Sequence, residues 1–314
     1  MKKGRRVLLL VVGVLLLVVL IAAVVLDVKY GLIRSSPRVS HESLSGPRTS
    51  FRARLEPALA EEFIVARYGA RMPVPEWALP MVLPYEVAVL CDPDLTQNRM
   101  AVEVFVNDRR LGPVIARGAN ESGMLSRIRG VQWEPPGFVR RERGVLLLEG
   151  EGALDGAVVS LVRERWGVVA PLSPLELGDE EHLFEAVLDF RDGRGFAVLA
   201  QAVGRGVPPS SPAHPSQLII LTEDIAHIRL YGDLVSVDTL HLQFRIECRP
   251  EVPDEDVSSL NFLIGAAYGQ LQPSLKQVHG VDLEGGTEVD GSTIVGEYDL
   301  THFERVLTLM GLRM

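Results

Sequence analysis

The chain has 314 residues, 47% of them hydrophobic, with a net charge of −9, two cysteines and seven histidines. The first 26 residues hold four bases and no acid, so residues 27–314 carry −13. That balance excludes non-specific nucleic-acid binding through a basic footprint, and it speaks against the bulk of the chain lying flat on an anionic membrane.

Lys2, Lys3, Arg5 and Arg6 precede an apolar run, "VLLLVVGVLLLVVLIAAVVL", from Val7 to Leu26. At 1.5 Å per residue, a helix of that length spans about 30 Å, the thickness of a bilayer core. Signal-peptide cores are shorter and end in a small-x-small site. Here the best such site, "IAA" at 21–23, has a bulky Ile where a small residue belongs. The run therefore reads as an uncleaved anchor. The four bases place the N-terminus in the cytoplasm and the rest of the chain outside it, as a single-pass membrane protein.

Residues 34–50, "RSSPRVSHESLSGPRTS", read as a linker. "FRARLEPALAEEFIVARY" (51–68) has apolar residues at three-to-four spacing and predicts a helix. A Pro-rich stretch follows, and then "YEVAVLC" (85–91) and "MAVEVFVN" (100–107) read as strands. "GVLLLEGEG" (144–152) and "GAVVSLVRERW" (156–166) look like a hairpin around Gly150 to Gly156, with Val158, Ser160, Val162 and Glu164 alternating. "HLFEAVLDF" (182–190), the turn "RDGRG" (191–195) and "FAVLAQAV" (196–203) repeat a strand, charged turn and apolar run.

"LIILTEDIAHIRLYGD" (218–233) fits helix or strand. "DTLHLQFRIEC" (238–248) is the strongest strand: Leu240, Leu242, Phe244 and Ile246 make a dry face, and His241, Gln243, Arg245 and Glu247 a wet one. "PDEDVSSLNFLIGAAYGQLQ" (253–272) reads as a helix with acids at its start. Its Gly265 and Gly269 suggest tight packing on a sheet. "DLEGGTEVDGS" (282–292) reads as a solvated hairpin turn, "STIVGEYDL" (292–300) as a strand and "THFERVLTLMG" (301–311) as a capped helix.

The fold class is thus α+β: one N-terminal transmembrane helix, then an extracytoplasmic domain of mainly antiparallel sheet with a few packing helices. The divisions are a cytoplasmic tail (1–6), the anchor (7–26), the linker (34–50) and two α+β halves (51–170 and 171–314), which can form one continuous domain.

Cys91 in "VLCDPDL" and Cys248 in "IECRPEV" share a Cys-x-Pro-acid-aliphatic pattern. Outside the cytoplasm they could form a disulfide; the alternative is two buried thiols at strand ends. In each, the Pro two residues on predicts the end of the strand. No Cys or His pair has zinc-ligand spacing, and the acids of 282–292 do not match a calcium loop. Nucleophile motifs are missing, and no cofactor is implied. Arg140, Arg141 and Arg143 form a possible anion-contact patch.

These features point to a membrane-anchored envelope protein of non-catalytic type that binds a partner or scaffolds an assembly. Its partners would be the bilayer, through residues 7–26, and a protein or lipid of unknown identity; nucleic acid is not among them. The alternative is binding or transfer of a hydrophobic envelope molecule, since anchor, linker and β-rich domain resemble in outline the membrane-anchored lipid-transfer proteins. A third reading is an anchored hydrolase whose site assembles only in three dimensions.

Overall fold

The computed structural model describes residues 49–69, 79, 83–107, 132–133, 139–142, 145–167, 172–173, 175–178, 180–203, 214–303 and 305. The proposed anchor, most of the linker and most of the expected C-terminal helix lie outside the described residues, and Thr301 belongs to a strand. The strands are β1 (Phe51–Leu55), β2 (Glu86–Asp94), β3 (Arg99–Asn107), β4 (Gln132–Trp133), β5 (Val139–Glu142), β6 (Val145–Ala153), β7 (Phe184–Asp189), β8 (Ile225–Leu234), β9 (Thr239–Cys248), β10 (Asp282–Asp290) and β11 (Thr293–Thr301). The helices are α1 (Glu61–Tyr68), α2 (Gly156–Trp166), α3 (Arg194–Val203), α4 (Pro215–Thr222) and α5 (Asp254–Ser274).

All eleven strands join one sheet in the order β10-β11-β9-β8-β7-β1-β2-β3-β6-β4, with β5 also on β6. Every pairing is antiparallel. The two halves of the chain meet where β1 pairs with β7. Mostly antiparallel sheet with a few helices is therefore what the sequence builds.

β1 corrects the expectation of a helix from residue 51. Leu55, Leu59, Glu62/Phe63 and Ala66 fit a helical stripe over the longer window, yet Phe51, Ala53 and Leu55 also alternate with Arg52 and Arg54 at period two. Placed between β2 and β7, the segment is a strand, and helix begins only after Pro57 opens a 3-10 turn over Pro57–Ala60. A second correction is α2, expected as a strand. Val158 and Val162, four apart, share a face in either structure. Burial of Val159 as well reports a helix, and the Asp155 carboxylate caps it by accepting the Ala157 N–H at 2.8 Å. "FAVLAQAV" is likewise helical and belongs to α3. The ambiguous 218–233 segment divides into the end of α4, a turn, and β8.

"DLEGGTEVD" is a full strand, not a turn, although the turn that follows it falls at Gly291 and Ser292. Two glycines of the β10–β11 pair lie against aromatic neighbours, while Gly286 is open. A side chain at Gly296 of β11 would collide with the Phe244 ring, and one at Gly285 with the Tyr298 backbone and ring. The Phe244 and Tyr298 rings stack at 5.9 Å. Exposed acids on β10, among them Glu284, Glu288 and Asp290, suit an edge strand that must not pair with another chain.

Alternation on β9 is as expected. Its Phe244 and Ile246 pack beneath α2–α5, in a core that includes Phe190, Phe196, Val159, Val162, Val257 and Ile294. A second cluster holds Phe63 of α1 with Leu283, Tyr298, Leu300 and Phe303. The opposite face of β7, β8, β9 and β11 is polar and holds Glu185, Arg229, Gln243 and Glu297.

Candidate functional site

Cys91 and Cys248 both lie in the helix-covered core layer, buried and as free thiols. Their strands are separated by β1, β7 and β8. Four inter-strand steps of about 4.8 Å amount to roughly 19 Å, against the limit of about 7 Å between bridged Cα atoms. Burial, and then Asp92, push the Cys91 thiol up to about 12. Burial raises Cys248 too, with Asp224 and Glu247 adding to it. Both shifts favour the protonated thiol and disfavour a nucleophilic role.

Cys248 does end its strand, with Pro250 two residues on. At Cys91 the expectation fails, because β2 runs through Pro93 to Asp94. The Cys91 carbonyl accepts the Ser50 N–H at 3.1 Å, so Cys91 and Pro93 both turn their backbone toward the β1 side. Pairing with β1 stops at Phe51 opposite Cys91, and the missing N–H of Pro93 faces no strand.

Arg140 and Arg141 fall on β5, where the register shifts between Arg140 and Glu142. Arg143, the third residue of the expected anion patch, lies outside the described residues.

The open polar face carries a network that single-residue scanning missed. Glu185 is fully buried: it accepts from Arg54 Nη2 at 2.8 Å and from the Gly178 N–H at 2.7 Å, with Arg229 at 3.9 Å. Arg54 also donates to the carbonyls of Gly178 and Glu180. Asp233 accepts the Leu183 N–H and meets His182 Nδ1 at 2.6 Å. Together these side chains clasp Gly178 and residues 180–183 against the sheet. Their signal in sequence is charge within β-alternation, Arg54 and Glu185 each standing between two apolar neighbours.

Three histidines pair with carboxylates: His182 with Asp233, His227 with Glu247 at 3.0 Å and His241 with Asp299 at 2.8 Å. Desolvation lowers the His227 pKa against the pull of Glu247. A hydrolase would need a nucleophile in bonding reach of such a pair. Among the described residues, His214 Nδ1 meets Ser216 Oγ at 2.8 Å, but that contact belongs to the cap of α4, where Nδ1 also accepts the Ser216 N–H. Among the described residues no group of three metal-ligating side chains converges.

Two hollows of about 300 Å³ open on the surface. One is lined by Arg165, Trp166, Glu223, Asp224, Arg249, Glu251 and Val252. Its Arg249 is committed to the fold, donating to the carbonyls of Glu223 at 2.7 Å and Phe190 at 2.9 Å. The other lies over Gly286, Thr287, Glu288, Val295 and Glu297. Charged residues line both, which does not suit an acyl chain.

The distinctive surface is α5. From Val257 to Leu275 it has no charged residue. Val257, Leu260, Ile264, Tyr268 and Leu275 turn inward, and Tyr268 Oη and Gln272 Nε2 both donate to the Leu283 carbonyl. The outward face presents Phe262 at 74% exposure and Leu263 at 50%, alongside Gly265, Ala266 and Gly269. A Cβ at Gly265 or Gly269 would meet nothing within 4 Å, which corrects the expectation that these glycines pack on the sheet. The inward stripe follows 3.6-residue periodicity and claims other residues, leaving the glycines on the far side.

No protein-family model and no curated protein matches the chain. Among solved structures, those of TP0453 in crystal forms I, III and IV match at 10–11% identity with TM-scores of 0.37–0.38. They cover 85% of this chain and 93–94% of that one. At that level of likeness nothing about function passes from one chain to the other. No helix among the described residues is long and apolar enough to cross a membrane.

Proposed function

We propose that this chain is a membrane-anchored, extracytoplasmic envelope protein of non-catalytic type, whose sheet domain docks a protein partner through the outward face of α5. The carrying observation is that face: an uncharged helix surface with Phe262 and Leu263 extended beyond the fold. Phe262 and Leu263 side by side on a helix surface without charge suit a docking patch. The apolar run from Val7 to Leu26 and the polar linker supply the anchor and tether of this reading.

The lipid-carrier alternative calls for an apolar groove, which neither of the two hollows described above supplies. A photo-cross-linking residue at Phe262, in the full chain in its native membrane, tests the proposal. Protein adducts are expected. Lipid adducts alone would favour the carrier, and an absence of adducts would overturn docking through α5.

A further inference from the structure

We infer that the partner docked by α5 is a second copy of the same helix, packed antiparallel about a two-fold axis between Gly265 and Ala266; this rests on the docking reading above. The outward face of α5 is spaced for such a pair. Glu255, Ser259, Phe262, Ala266, Gly269, Pro273 and Lys276 follow one another at alternating intervals of four and three, the seam spacing of paired helices. Five of them lie within α5 opposite its inward stripe, with Pro273 in its last turn and Lys276 in the π-turn Leu275–His279 that follows.

An isologous interface must be complementary to itself. Placing the axis between Gly265 and Ala266 sets Gly265 opposite Ala266 and Glu255 opposite Lys276. It sets Phe262 opposite Gly269. The most exposed large side chain of the helix then faces a position with no side chain and open space above it. Small residues at the centre permit axes about 8 Å apart, the close end of helix packing. Lys276 bonds Asp282 at 2.6 Å and is two-thirds exposed, so it can reach Glu255 of the partner while keeping its place at the surface. A parallel pair would instead bring Asp254, Glu255 and Asp256 of both copies together, at a cost in repulsion.

A membrane surface fits this face less well. Interfacial helices carry Lys and Arg beside the apolar stripe. Here three acids open the helix, and a single lysine follows it. The contact, about 30 Å long and 10 Å wide, covers roughly 300 Å² per copy, against about 800 Å² in a standard stable interface. Pairing is accordingly weak and gains from confinement by the anchor.

Variants of the full chain with one added cysteine, oxidised in membranes with copper-phenanthroline, test this. Ala266→Cys lies next to the axis and should give a disulfide-linked dimer. Ser258→Cys, about 22 Å from its counterpart in the antiparallel pair, should not. The native thiols are buried and serve as the background. In the Ala266→Cys chain, adding Gly269→Leu fills the hollow facing Phe262 and should abolish linkage without harming the fold, because the space is open. Adding Phe262→Ala to that variant exchanges knob and hole and should restore it. Equal linkage at Ser258→Cys and Ala266→Cys means a parallel pair and overturns the inference. Linkage at neither overturns the second copy as partner, while protein adducts at Phe262 would leave the docking reading standing.

Discussion

Glu185 offers a quantitative test of how the polar face holds the fold. Its carboxylate has no exposure and is matched by the Arg54 guanidinium at 2.8 Å and the Gly178 N–H at 2.7 Å. Glu185→Gln keeps the shape, can still accept from Gly178, and turns an amide N–H₂ toward a cation. Removing one member of a buried pair costs about 3–5 kcal/mol. Arg54 keeps the Gly178 and Glu180 carbonyls as partners, so the low end, about 3 kcal/mol, is expected. Arg54→Met should cost about 4 kcal/mol, because it strands a fully buried carboxylate with Arg229 at 3.9 Å. The double variant should cost less than the sum by about 2 kcal/mol, since the second change removes the group the first left unpaired. Urea unfolding of the full chain in detergent, followed by far-UV circular dichroism, measures all three. Hydrogen exchange at the Gly178 amide should accelerate in Arg54→Met before global unfolding. Additivity within about 0.5 kcal/mol would refute the pairing logic.

Gly193 sits at φ 77°, and a Cβ there would run into Val162 and Trp166. Gly193→Ala should lower stability by about 2 kcal/mol or more, readable as a fall in melting temperature; an unchanged melt would refute the close approach. At His227 burial lowers proton affinity in the folded state below the ordinary value of 6.5, so the unfolded chain binds the proton more readily. Its contribution is present above about pH 6.5 and is lost as pH falls through the range below that. His227→Gln should flatten the decline in melting temperature between pH 7 and pH 5, and an unchanged slope would count against the assignment. Cys91, pushed up to about 12, should resist thiol reagents at pH 8 in the folded chain and react fully in urea. Rapid labelling of the native protein would contradict its burial.

The sequence by itself determined the strands that alternate cleanly. "DTLHLQFRIEC" could have only one dry face, and β3, β6, β7, β9 and β11 fall where apolar periodicity and bounding turns place them, while β2 runs three residues past its expected end. It also determined α5, because acids at its start and a long uncharged stripe leave no strand reading. It did not separate helix from strand where apolar residues stand four apart, since that spacing puts side chains on one face in both; α2 and β1 were misplaced for this reason. Tertiary structure alone decided that β1 joins the two halves, that four strand steps separate Cys91 from Cys248, and that Glu185 meets Arg54 across 131 residues. It also decided which way Gly265 and Gly269 face. The stripe of α5 seats on β10 and β11 through Tyr268 and Gln272. Once those contacts fix the rotation of the helix, Phe262 and the glycines must point to solvent, a consequence of long-range packing that local spacing does not encode.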